Sequence, residues 1–76
     1  MNAAVTQELV AAAALCDDRA ARLEASADVL ATRAVTATWA GPAADRFRLL
    51  MVERRNELRA AAVALRDAAM TMRAVQ

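Results

Sequence analysis

A chain of 76 residues is at most one small domain, and ten arginines set against nine carboxylates leave a net charge of only +1, too little to create a long-range field for nucleic acid. The absence of histidine, the single cysteine and the single glycine exclude an internal disulfide, a phosphate-cradling glycine loop and the usual metal-ligand motifs, so neither an enzyme nor a cofactor is expected. Apolar residues make up 59% of the chain, yet 23 of them are alanines and the aromatics are one Phe and one Trp, which favours long, closely approaching helices.

The first predicted element is a helix over about residues 3–38. Leu9, Cys16, Leu23, Leu30 and Ala37 recur every seven residues, with Thr6, Ala13, Ala20, Ala27 and Ala34 between them, the apolar stripe of a coiled-coil seam. On that seam Cys16 is expected as a small buried core residue with no base beside it, not as a nucleophile. The uncharged run from Leu9 to Cys16 is shorter than the roughly 20 apolar residues a bilayer span needs. The N-terminus also lacks a basic start, so export, if it occurs, is expected to use a leaderless route.

The second element is a turn at 39–42. The only Gly and the only Pro are adjacent there. Gly41 can adopt backbone angles closed to other residues, and Pro42, with fixed φ and no N–H, suits the first position of a new helix. Trp39, expected at the end of the first helix, is read as a plug that covers the bend and wedges the helix ends together.

The third element is a helix over about 43–74. Ala44, Met51, Leu58, Leu65 and Met72 repeat every seven residues, with Phe47, Arg54, Ala61, Ala68 and Val75 between them. Folding at the turn sets Leu30 opposite Met51, Leu23 opposite Leu58, Cys16 opposite Leu65 and Leu9 opposite Met72. The layers between pair Ala34 with Phe47, Ala20 with Ala61 and Ala13 with Ala68, and leave Arg54 as the one misfit, opposite Ala27 and near Glu24 and Asp28. Asp45 should favour the positive end of the second helix dipole and pair with Arg48. Charge also divides between the helices: residues 1–38 carry three arginines and five carboxylates, and residues 42–76 carry seven and four, so the helices should attract.

The expected fold is therefore all-α, an antiparallel helix-turn-helix hairpin. More apolar side chains remain than one seam can cover: Leu49, Val52, Val63 and Met70 on the second helix, and Val10, Leu15, Val29 and Val35 on the first. Such a surplus is the mark of a surface for another helix pair, and the simplest way to bury it is dimerisation into a four-helix bundle.

The W-x-G turn of Trp39 and Gly41, the small Ala43 and Ala44 behind it, the aromatic Phe47 and the near-equal flanking helices together resemble the W-x-G helical-hairpin proteins of type VII secretion systems, the Esx-like group. The resemblance implies an antiparallel four-helix bundle, as homodimer or heterodimer, exported folded through a leaderless route or kept in the cytoplasm as an adaptor. It also implies that Trp39 and Gly41 form half of a composite export signal. The family's C-terminal Tyr-x-x-x-Asp/Glu signal has no counterpart here, since the chain contains no Tyr. This departure favours a role as substrate partner, chaperone or adaptor, bound to itself, to a second W-x-G-like chain or to a toxin-associated chain.

Two other readings compete with this one. A homodimeric structural module unrelated to secretion needs only the same seam. A nucleic-acid binder would rest on Arg46, Arg48, Arg54, Arg55, Arg59, Arg66 and Arg73, but Glu53, Glu57 and Asp67 interrupt that series and no aromatic is available for base stacking. Membrane insertion and a small-molecule ligand are not expected, because the first helix lacks a basic face and no ligand motif is present.

Overall fold

Two long helices and one bend make up the computed structural model, which describes residues 2–75. Helix α1 spans Ala3–Thr36 and helix α2 spans Pro42–Ala74. They lie against each other as a rod with extents of 60 × 13 × 11 Å.

Each helix starts for a local reason. At the head of α1, Asn2 is in extended conformation and its side-chain oxygen accepts from the Val5 N–H at 2.9 Å, an N-cap that satisfies a donor left over by helix geometry. At the head of α2, Gly41 has φ 108 and ψ 178, Pro42 occupies the first turn, and the Asp45 N–H reaches the Gly41 carbonyl at 3.0 Å. A φ of that value is open to glycine and strained for other residues.

Helix α1 ends at Thr36, two residues earlier than the periodicity predicts, and residues 37–40 are non-helical. Val35, Thr36 and Thr38 are weak helix formers clustered at this point, and the carbonyls released by the unwinding find a donor elsewhere. The Arg48 guanidinium donates to the Ala37 oxygen at 3.1 Å and to the Trp39 oxygen at 2.7 Å. Trp39 consequently sits in the connecting segment and not at the end of α1. It is 47% exposed and tilts against Phe47 with ring centroids 5.6 Å apart, so it leans on the bend without plugging a core.

The seam of α1 follows the predicted rows. Ala13, Ala20, Ala27 and Ala34 are buried, and Leu9, Cys16, Leu23 and Leu30 are half-buried beside them. Cys16, a free thiol, is thus less enclosed than its position on the seam predicts.

On α2 one predicted row holds and the other shifts. Met51, Leu58, Leu65 and Met72 are half-buried and Ala44 is buried, but the row between them is Arg48, Arg55, Ala62 and Ala69. Ala61 faces out, Ala68 is half-buried, and Arg54 is exposed and paired with Glu57 on its own helix at 3.0 Å. Seven residues can be divided as three then four or as four then three, and α2 takes the second division after Met51. This roll of the helix turns Arg59, Arg66 and Arg73, a row of their own, toward the carboxylates of α1. Arg66 and Arg59, and not Arg54, meet Glu24 and Asp28.

Candidate interaction surface

The surface begins from what the seam leaves outside. Every buried residue among those described is an alanine, and no large side chain is fully buried. Alanine brings one methyl group to an interface where a leucine would bring a branched chain, so the hairpin gains closeness at the expense of apolar area.

One flank of the rod is tied by charge. Arg66 grips Glu24 through two hydrogen bonds, of 2.9 and 3.1 Å, and stands 3.9 Å from Asp17. Arg73 reaches Asp17 at 2.7 Å and Arg59 reaches Asp28 at 3.5 Å. The bonds from Arg66, more than its charge alone, hold the Glu24 carboxyl below the ordinary carboxylate range, and the same bonds raise the already high value of Arg66. A carboxylate whose folded value is lowered adds stability above its unfolded value and loses that contribution as pH falls through the folded one. Thermal melts of the chain and of Glu24→Gln should therefore differ at neutral pH and converge below the normal carboxylate range. The difference should be small, because both side chains are only half-buried and solvent screens the pair.

The sequence-predicted partner residues lie beside this charged flank. Leu49, Val63 and Met70 occupy one row of α2, adjacent to Arg59, Arg66 and Arg73, and are 57%, 60% and 65% exposed. Val52 is half-buried. Val10 and Val35 of α1 flank the same ion pairs, Val10 in the row of Asp17 and Glu24 and Val35 in that of Asp28, and Val35 reaches 84% exposure. Asn56 breaks the row between Leu49 and Val63.

The structure also brings together groups that sequence reasoning left apart. Arg48 pairs with Asp45 at 3.7 Å as predicted, but its bonds to the Ala37 and Trp39 carbonyls are shorter and join the bend to α2. Only the arginine's place about two turns past the breaker hinted at this clasp. Leu50, also exposed on α2, lies outside the predicted partner row.

Among the described residues no group of three His, Cys, Asp or Glu side chains is placed to hold a metal ion, and no helix is long and apolar enough to cross a membrane. The class that the geometry defines is an all-α hairpin of two helices. No family model, curated protein or solved structure matches the chain.

Proposed function

We propose that the protein is a non-enzymatic interaction module that pairs with another helical hairpin, completing a four-helix bundle, and serves a type VII secretion system as substrate partner, chaperone or adaptor. The observation that carries the pairing is the all-alanine interior beside exposed Leu49, Val63, Met70, Val10 and Val35. A lone hairpin with so little large apolar burial gains little against the ordering of its backbone, which opposes folding by about 1–2 kcal/mol per residue. A second hairpin laid over the row supplies the missing area. The secretion half of the proposal is supported by the bend, where Trp39 is half-exposed next to Phe47 and Gly41 makes the turn.

The pairing is tested by native mass spectrometry and circular dichroism. The purified chain is expected to be a helical dimer, or to gain its helix only when mixed with a second hairpin. Val63→Asp should disturb association while leaving residual helix. A cooperative, concentration-independent melt of a well-folded monomer defeats the proposal. For secretion, co-expression with a hairpin carrying the Tyr-x-x-x-Asp/Glu tail, in a host with the export apparatus, should release both chains into the medium. Trp39→Ala should retain them in the cell.

A further inference from the structure

We infer a second docking flank, on the side of the rod away from the Arg66–Glu24 ion pairs, whose occupant is an amphipathic helix bearing acidic residues. Arg19, Arg22, Leu23 and Leu65 line a shallow groove of about 380 Å³ between α1 and α2. Steps of seven along the two arginine rows place exposed Leu15 and Val29 one step to either side of Arg22, and Arg33 two steps beyond Arg19, past Ser26. Apolar and cationic groups thus share one flank of α1.

The charges say what fits there. On the opposite flank every arginine of the row Arg59, Arg66 and Arg73 has a carboxylate partner. Arg19, Arg22 and Arg33 have no ion-pair partner among the described residues, although the chain carries nearly as many carboxylates as arginines. Three unpaired guanidinium groups interleaved with apolar side chains complement a helix that presents Leu-type residues with Glu or Asp three or four positions away. A second copy of this chain is a poor occupant. Docked through the same flank it offers Glu8 and Glu57, of which Glu57 is already bound to Arg54, and it brings three further arginines. Nucleic acid fits less well, since exposed Leu15 and Val29 interrupt the basic row and no aromatic ring stands among the arginines.

The test is fluorescence anisotropy on the purified protein with two labelled helical peptides, identical except that one carries Glu and the other Gln at the polar positions beside a leucine stripe. The acidic peptide is expected to bind roughly tenfold more tightly than the neutral one, with the advantage shrinking in about 0.5 M salt. The surface variant Arg19→Gln/Arg22→Gln/Arg33→Gln should remove the preference without changing helicity or oligomeric state. Equal binding of the two peptides, or a preference that survives the triple substitution, overturns the inference. Arginine-dependent binding of a random DNA duplex or of anionic vesicles with no peptide binding overturns it as well. Because Val63→Asp acts on the other flank, a preference that persists in that variant separates this inference from the bundle proposal.

Discussion

Leu58→Asp is expected to abolish both helicity and association, the largest effect of any single change in the chain. Leu58 is half-buried at mid-seam of α2, one turn from the buried Ala62. Full burial of a leucine is worth about 1.5–3 kcal/mol, and a half-buried one supplies a fraction of that. Small domains hold only a few kcal/mol in total, and this one has no large buried side chain in reserve. The aspartate removes the apolar gain and adds the cost of desolvating a carboxylate with no partner assigned to it. Loss of the helical signal in circular dichroism, together with loss of the oligomer in size exclusion, is the predicted outcome. A helical, associated Leu58→Asp protein would show that the seam does not hold the hairpin.

Ala20→Leu should be nearly as damaging, for the opposite reason. Ala20 is 0% exposed, as are Ala13, Ala27 and Ala69, so the backbones there are separated by little more than methyl groups. A leucine brings three further carbons into a space with no vacancy, and overpacking of this kind costs about 1–3 kcal/mol by forcing rotamers or helix axes to shift. The control is Ala21→Leu, one residue along on the exposed face, which should leave the melting temperature almost unchanged. If both variants melt alike, the buried alanine rows are not close-packed.

The contrast between these sites shows what the sequence made legible. The row on α1 could be read because a seven-residue period survives without interruption from Leu9 to Leu30, and the hairpin itself followed from the one Gly-Pro breaker in an otherwise helical chain. The roll of α2 was not legible from apolar spacing. Alanines at 60, 61, 62, 64, 68 and 69 are apolar on either roll, and the row the structure uses carries two arginines, Arg48 and Arg55, where the predicted row carries only Arg54. What distinguishes them is electrostatic: only one roll sets Arg59, Arg66 and Arg73 against Asp28, Glu24 and Asp17. That signal was present as three arginines at seven-residue spacing and needed to be read across both helices at once. The early end of α1 was hidden for a similar reason, since the side chain that satisfies the freed carbonyls, Arg48, lies eleven residues beyond Ala37.

The rod is closed at one end by the Arg48 clasp and open at the other, where the head of α1 and the tail of α2 lie together. Its bonds between the helices are therefore arranged in series along the long axis. Traction applied at the open end loads them one at a time, Arg73–Asp17 first, then Arg66–Glu24, then Arg59–Asp28. The hairpin then opens rung by rung, the strongest rung sets the force needed to open it fully, and the bend is the last part to yield.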